Sequence, residues 1–343
     1  MKGVIFSFSR QGYSLMEKIE ELWKKSENDI EIQCYVKCGS LGEIAEKKST
    51  RELVKECFQN TDVIVFIGAT GIAVRSIAPF IKHKSVDPAV IVVDETGKFS
   101  ISLLSGHMGG GNELAEKIGN MIGAIPVVTT ATDREAKFAV DDFARRNNMA
   151  VINWDMAKKI SVYILEGKKV GVISDFYIEG EIPPELFKAK GYEKNYIIKI
   201  SYVKDNDSKN VLRLVPGVIT AGIGCRKGAS EEEIEEAIIK CFNENNIKIE
   251  ALKEVSSIDI KKDEKGIKEF AFKMKIPFVT FSADELKAVN GEFSKSEFVE
   301  SVTGVSNVCE RSAVACGGKL ISHKKVYGRV TVALAEKKER YKY

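Results

Sequence analysis

Short unbroken apolar runs alternate along this chain with longer stretches that return to an apolar side chain every three or four positions. Residues 2–8 (GVIFSF and its lysine) are the first such run and predict a strand, and Leu15, Ile19 and Leu22 then line one face of a helix over 13–25. Residues 30–36 predict a second strand and 43–58 a polar helix. From Asp62 to Ile67 the chain turns apolar and mostly β-branched, as in a strand buried on both faces. Gly68-Ala69-Thr70-Gly71 follows as a loop, and 72–80 as a helix. Residues 89–93 and 98–104 predict a hairpin about Glu95-Thr96-Gly97. A glycine loop, a helix over 112–122 and the strand in GAIPVVTTATD complete the unit. Strand, loop and helix in repetition predict an α/β fold with mainly parallel sheets and flanking helices.

The pattern changes after Asp133. Helical spacing over 135–147 and 154–166 precedes strands in KKVGVIS, YIIKISYV and NVLRLVP, with loops at Pro183-Pro184 and at KDNDSKN. Pro216-Gly217 marks another boundary, and GVITAGIGCRKGASEEEIEEAIIKC resumes the strand, loop, helix order. Ser230 and Glu233 have the spacing of a capping box. Helix 263–274, strand 277–281, helices 284–289 and 295–302 and a hairpin in KLISHKKVYGRVTVALAE follow. The division predicted is an N-terminal α/β domain over 1–133, a small mixed α/β domain over 134–215 and a C-terminal α/β domain over 216–343.

Composition narrows the classes of function. The 343 residues carry 52 Lys and Arg against 49 Asp and Glu, a net charge of +3, which argues against a nucleic-acid binder. No apolar run is long enough to cross a bilayer, and MKGVIFSFSR reads as a first strand, not a signal peptide, so no membrane partner is expected. Seven scattered cysteines without a CxxC pair fit a reduced, cytoplasmic protein. Cys34 and Cys38 lack a nearby histidine, and no metal site is expected.

Chemistry is expected where glycine loops open helices. Gly68–Gly71, the loop Ser105-Gly106-His107-Met108-Gly109-Gly110-Gly111, and the loop Gly222-Ile223-Gly224-Cys225-Arg226-Lys227-Gly228 each precede a helix, whose first turn offers unpaired N–H donors to an anion. A dinucleotide site would need a third glycine where Val74 stands, although Asp94 lies at a suitable distance; no GxxxxGKS occurs either. An organic acid is the favoured ligand. Thr70 and Arg75 could meet a carboxylate, with a solvated helix face as the bland alternative for Arg75; Arg226 and Lys227 could do the same or balance Glu231 to Glu233. His107 stands before a helix N-terminus, which favours the neutral imidazole that a general base requires, and the amides of Gly109 to Gly111 could form an oxyanion pocket or a tight turn. Thr303-Gly304-Val305 interrupts a helical pattern and suggests a further ligand-facing loop; Glu310 and Arg311 follow as ligand contacts or as a solvated pair.

Taken together, GATGIAVRSIAPFIKHKSVDPAVIVVDETGKFSISLLSGHMGGGNELA and, in order, GIGCRKGAS, SSIDIKKDEKGI, PFVTFSADEL and VTGVSNVCERSAV resemble the cobalt-precorrin-5A hydrolase family of anaerobic cobalamin biosynthesis. The likeness covers 60–133 and 217–335; VCERSAV departs from it in lacking a proline after the glutamate and in carrying Ser312 for alanine. The resemblance implies a polycarboxylate tetrapyrrole substrate whose δ-lactone joins the ring A acetate to the meso carbon to be lost. Opening that lactone releases acetaldehyde and leaves cobalt-precorrin-5B. The cobalt belongs to the substrate, so no cofactor is expected. On this view His107 activates water, Asp94 or Glu113 orients it or manages the later proton, and the Gly68–Gly71 and Gly222–Gly228 loops hold peripheral carboxylates. A non-catalytic tetrapyrrole carrier and a nicotinamide oxidoreductase are the alternatives. A second copy of the chain and neighbouring pathway enzymes are further partners to test.

Overall fold

In a computed structural model, which describes residues 1–26, 30–83, 86–106, 109–129, 137–191, 195–206, 208–295 and 297–343, the apolar runs become sheets. The chain divides into two compact units, Met1–Arg145 and Arg146–Tyr343. In the first, Lys2–Ser7 (β1), Glu31–Val36 (β2), Val63–Ile67 (β3), Ala89–Val93 (β4), Phe99–Leu104 (β5) and Ile125–Val127 (β6) form one sheet in the order β2-β1-β3-β4-β5-β6. Every pairing is parallel except β4 with β5.

The sheet is covered on both faces, which is why β3 and β4 read as continuous apolar runs. Ile5, Val65 and Ile91 pack with Met16, Ile19 and Trp23 of helix α1 (Arg10–Ser26) and Ala115 and Ile118 of α4 (Gly111–Ile122). Val4, Phe6, Ile64 and Phe66 pack on the other face with Leu53 and Val54 of α2 (Thr50–Cys57) and Ala73 and Ile77 of α3 (Thr70–Ile77). Each fully buried Val, Leu, Ile, Phe or Met side chain among them contributes roughly 1.5–3 kcal/mol. The polar helix expected over 43–58 is shorter. A 3-10 turn spans Gly39–Ile44, and α2 starts only at Thr50 because Ser49 and Glu52 close a capping box there.

The second unit holds two five-stranded sheets. The first is built from Met149–Val151 (β7), Val170–Ser174 (β8), Leu186–Lys188 (β10), Ile197–Ile200 (β11) and Val211–Pro216 (β12), with Ile178–Glu179 (β9) outside it; its order is β10-β8-β11-β12-β7. Helix α5 (Val140–Arg146) precedes it and α6 (Trp154–Leu165) follows β7. The other sheet joins Ile219–Cys225 (β13), Leu252–Ile258 (β14), Phe278–Phe281 (β15), Gly318–Tyr327 (β16) and Val330–Lys337 (β17) in the order β15-β14-β13-β17-β16. Its helices are α7 (Glu231–Glu244), α8 (Lys265–Met274), α9 (Ala283–Ala288), α10 (Glu297–Thr303) and α11 (Val308–Ala315). The capping box at Ser230 and Glu233 forms as its spacing predicts. Last in the chain, Tyr341–Lys342 (β18) pairs with β9.

Strand β14 escapes the apolar pattern because Lys253, Glu254, Ser256 and Ser257 interrupt it. The structure resolves the conflict by pairing: the buried Glu254 accepts from Thr220 Oγ1 at 2.8 Å and meets Lys337 Nζ at 2.6 Å.

Candidate functional site

In the first unit the strand order reverses direction between β1 and β3, because the chain passes from β1 to β2 on one side and then crosses back to β3 on the other. Parallel sheets bind ligands at the carboxyl ends of the strands flanking such a reversal. Ser7-Phe8-Ser9 and Gly68-Ala69-Thr70 meet that description. Ser9 Oγ accepts the Gly12 N–H at 3.0 Å and so caps α1, whereas Ala69 gives α3 no side-chain cap. The exposed first turn of α3 therefore keeps N–H donors to offer. A Cβ on Gly68 would lie 3.1 Å from the Phe8 ring, while Gly71 faces open space. Beside these donors α3 exposes Ile72 (36%) and Val74 (45%) and the side chain of Arg75. Ser7 Oγ, fully buried at the last residue of β1, has no hydrogen-bond partner. Donors, a cation and apolar surface thus adjoin on one helix, as an apolar molecule edged with carboxylates requires.

Asp94 stands at this same carboxyl edge, after β4, but its carboxylate is committed to the turn. It accepts the N–H of Thr96 at 3.1 Å, the Thr96 hydroxyl, and the N–H of Phe99 at 2.6 Å. Burial pushes its pKa up, and the bonds from Thr96 and Phe99 outweigh that and hold it below the usual value.

Ser105, Gly106 and Gly109–Gly111 lie at the opposite edge. Strand β5 runs back along β4 and ends with Leu104 opposite Val90, at the amino end of the parallel strands. A Cβ on Gly109 would lie 2.6 Å from Ser105 Cβ and 3.2 Å from the Ala89 nitrogen, so glycine here serves close packing. Gly110 takes φ 73° just before α4. The five residues of β4 separate the two edges by about 16 Å. Asp94 therefore stands apart from Ser105, Gly106 and Gly109–Gly111, and its expected role beside His107 rests on a residue outside the described ones. His107 and Met108 lie outside the described residues. The N–H of Gly111 donates to Ser105 O at 3.1 Å and that of Asn112 to Gly106 O at 2.9 Å, so the Gly111 amide is not open to an oxyanion. Glu113, at the same edge, binds Arg145 at 2.6 Å, and Arg145 also holds Asp142 at 3.0 Å.

The third glycine loop is shorter than its sequence suggests. Gly222, Gly224 and Cys225 belong to β13. A Cβ on Gly222 would overlap the carbonyl oxygen of Cys309, so this glycine lets α11 pack directly on the strand; one on Gly224 would lie 2.5 Å from Thr331 Oγ1. Only 226–229 remain as loop before the N-cap Ser230, and neighbouring elements engage it. Gly228 N–H donates to Glu264 at 2.7 Å and Ser230 N–H to Glu233 at 2.8 Å, while the Lys227 carbonyl accepts from Arg329 at 2.8 Å. An adjoining groove of about 350 Å³ is lined by Glu231, Glu232 and Glu269 with Lys265 and Lys273, a poor seat for a polyanion. Burial pushes the Cys225 thiol up.

Gly304 (φ 72°) follows α10 and is exposed, with its N–H on Glu300 O at 2.8 Å, whereas Val305 is buried, which corrects the expectation that its side chain faces a ligand. Glu310 is no solvated residue: its side chain is fully buried, and it accepts the N–H of Ser294 at 2.9 Å, the hydroxyl of Ser294 at 2.7 Å and the N–H of Lys324 at 2.7 Å. Burial raises its pKa, and the bonds from Lys324 and Ser294 overcome that and lower it. Arg311 caps the end of α9 by donating to Leu286 O and Val289 O, both at 3.0 Å, over the Phe293 ring. His323, which sequence reasoning passed over, has Nδ1 3.5 Å from Glu310 Oε1. Among the described residues no group of three or more His, Cys, Asp or Glu could hold a metal ion, and no helix is long and apolar enough to cross a membrane.

Comparison with known proteins agrees with the order of these segments. Family models described as Cobalamin synthesis G N-terminal, Cobalamin biosynthesis central region and Cobalamin synthesis G C-terminus match residues 52–133, 138–216 and 219–335. The cobalt-precorrin-5A hydrolase of Salmonella typhimurium is 35% identical over 266 residues, covering 74% of this chain and 76% of that protein. The cobalt-precorrin-5A hydrolase of Priestia megaterium is 30% identical over 306 residues, 84% of this chain and 82% of its own. A probable cobalt-precorrin-5A hydrolase of Methanocaldococcus jannaschii is 31% identical over 265 residues, 76% and 78% of the two chains. The chain belongs to the cobalamin synthesis G family, that of the cobalt-precorrin-5A hydrolases.

Proposed function

We propose that this protein opens the ring A δ-lactone of cobalt-precorrin-5A and releases acetaldehyde, leaving cobalt-precorrin-5B. The observation that carries this is the 35% identity to the Salmonella hydrolase over three quarters of both chains. Water adds to the lactone carbonyl carbon, and the ring C–O bond breaks to give a carboxylic acid and a hydroxyl on the fragment to be lost. That hydroxyl then surrenders its proton, the carbon–carbon bond breaks, and its electron pair passes to the conjugated macrocycle, which later takes up a proton. Nothing outside water and substrate is consumed.

The carboxyl edge of the first unit suits such a substrate. The exposed Ile72 and Val74 offer apolar contact to the flat ring, while Arg75 and the uncapped first turn of α3 at Thr70 and Gly71 meet its acetate and propionate groups. We put Gly68–Arg75 against the peripheral carboxylates, because in the 226–230 loop the N–H groups of Arg226, Gly228, Ala229 and Ser230 are already bonded within the second unit. Anaerobic incubation with cobalt-precorrin-5A, with acetaldehyde trapped and the product weighed by mass spectrometry, tests the activity. A carrier would bind the substrate and yield no acetaldehyde.

A further inference from the structure

We propose that Arg10, braced by Ser40, binds a second peripheral carboxylate of the substrate, on the opposite face of the sheet from Arg75; this rests on the substrate and activity proposed above. Arg10 is the first residue of α1 and follows closely on the end of β1, so it stands at the carboxyl edge of the first sheet, beside the strand-order reversal. Two close approaches tie this end of α1 to the Gly68 loop. A Cβ on Gly12 would lie 3.5 Å from the Ile67 carbonyl oxygen, and one on Gly68 would lie 3.1 Å from the half-buried Phe8 ring. The segments Phe8–Gly12 and Ile67–Thr70 thus adjoin at one edge, from which α1 leaves along one face of the sheet and α3 along the other.

The Arg10 side chain is exposed yet held. Its Nε donates to Ser40 Oγ at 3.2 Å and its Nη2 to Ser40 O at 2.9 Å. Ser40 belongs to the 3-10 turn that follows β2, and its Oγ also lies 3.1 Å from Cys38 Sγ. Both acceptors are neutral, and among the described residues no carboxylate lies within 4 Å of this guanidinium. Ser40 takes the side of the guanidinium that carries Nε and one N–H of Nη2. The end of the fork, Nη1 with the second N–H of Nη2, is left for a planar anion, the geometry in which arginine grips a carboxylate with two parallel bonds. Because the side chain is already ordered, binding costs it less rotamer freedom than it would cost an unbraced arginine. Lys37, just past β2, adds positive charge at the same edge: its Nζ donates to the carbonyls of Glu46, at 2.6 Å, and Lys48. Asp94, an acid of that edge, is turned onto Thr96 and Phe99. Strands β2 and β3 lie two spacings apart, about 10 Å, less than the width of a four-ring macrocycle. Rim acids of one molecule therefore reach Arg10 on the β2 side and Arg75 on the β3 side.

The test titrates a cobalt porphyrin octacarboxylate, which carries rim acids and no lactone to open, into wild type, Arg10→Ala, Arg10→Lys, Arg75→Ala and the Arg10→Ala/Arg75→Ala double variant. Binding is read from the visible absorption of the probe, with thermal melting as the fold control. Arg10→Ala should weaken binding about fivefold to tenfold, and the gap should close in high salt, which loss of a merely structural brace on the Ser40 turn would not do. Arg10→Lys keeps the charge and loses the fork, and should fall between wild type and Arg10→Ala. Because each arginine takes a different acid, the double variant should show the product of the two single losses. In acetaldehyde release, Arg10→Ala should raise KM and leave kcat unchanged. A wild type that does not take up the probe, unchanged binding by Arg10→Ala, a loss insensitive to salt, or a double variant no weaker than Arg75→Ala overturns the subsite. Arg10-dependent binding of the probe by a wild type that releases no acetaldehyde overturns the activity and leaves the subsite standing.

Discussion

Leu104 stands opposite Val90 across the β4–β5 pair. This antiparallel register brings Ser105 and Gly106, which follow β5, to the amino edge of the parallel strands, whereas the strand-order reversal between β1 and β3 opens at their carboxyl edge. Asp94 is left on the far side from them, bonded to its own turn through Thr96 and Phe99.

Asp94→Asn should accordingly lower stability and spare catalysis. Losing a charge-assisted bond to Thr96 or Phe99 costs about 1 kcal/mol at this largely exposed site, and kcat of the folded protein should stay within about threefold of wild type. Because its folded pKa is depressed, the contribution of Asp94 is present above the unfolded carboxylate pKa and is lost as pH falls through the folded one. Thermal melts at neutral and acid pH should therefore differ between wild type and variant at neutral pH and converge in acid.

Arg75→Ala should weaken substrate binding without slowing chemistry. If its guanidinium meets a peripheral carboxylate equally in ground and transition states, KM rises about tenfold and kcat is unchanged. Ile72→Asp, which adds a negative charge that repels the substrate's carboxylates one turn before Arg75 and removes an apolar contact, should raise KM further. Steady-state kinetics on the two variants measure both effects.

Gly222→Ala and Gly71→Ala form a contrasting pair. Alanine at Gly222 forces its methyl into the Cys309 carbonyl and should cost at least 1–3 kcal/mol. At Gly71 no atom lies within 4 Å of the added methyl, and on α3 the change should be neutral or mildly stabilising. Denaturant midpoints of the two variants measure the difference.

Much of this was legible in the chain. β3 and β4 announced themselves as apolar runs because helices cover both faces of their sheet, and Ser230 with Glu233 announced the start of α7. The edge on which Ser105 and Gly106 fall was implied by the hairpin over 89–104, since a returning strand must deliver its exit loop to the amino edge. Other features depend on distant partners and left no local trace. β14 is a strand because Lys337 and Thr220 meet Glu254. Gly222 resembles a loop glycine in sequence, and only the approach of Cys309 from more than eighty residues onward reveals a packing glycine. The pairing of Glu310 with His323 likewise joins a helix to an edge strand, and nothing in the spacing of the two residues indicates that one is buried beneath the other.

Glu310→Gln should destabilise the second unit by about 3 kcal/mol, since an amide leaves one of the donors from Ser294 and Lys324 facing another donor. The depressed pKa of Glu310 means that its stabilisation is full above the unfolded carboxylate pKa and is lost as pH falls through the folded value. Chemical denaturation at neutral pH should show the loss, and the gap between variant and wild type should narrow in acid.

The most direct measurement is single-turnover reaction of the purified protein with cobalt-precorrin-5A under anaerobic conditions, following acetaldehyde and macrocycle mass together. The account predicts one acetaldehyde per macrocycle and a product of the mass of cobalt-precorrin-5B. Tight binding of the macrocycle with its mass unchanged and no aldehyde formed would contradict it.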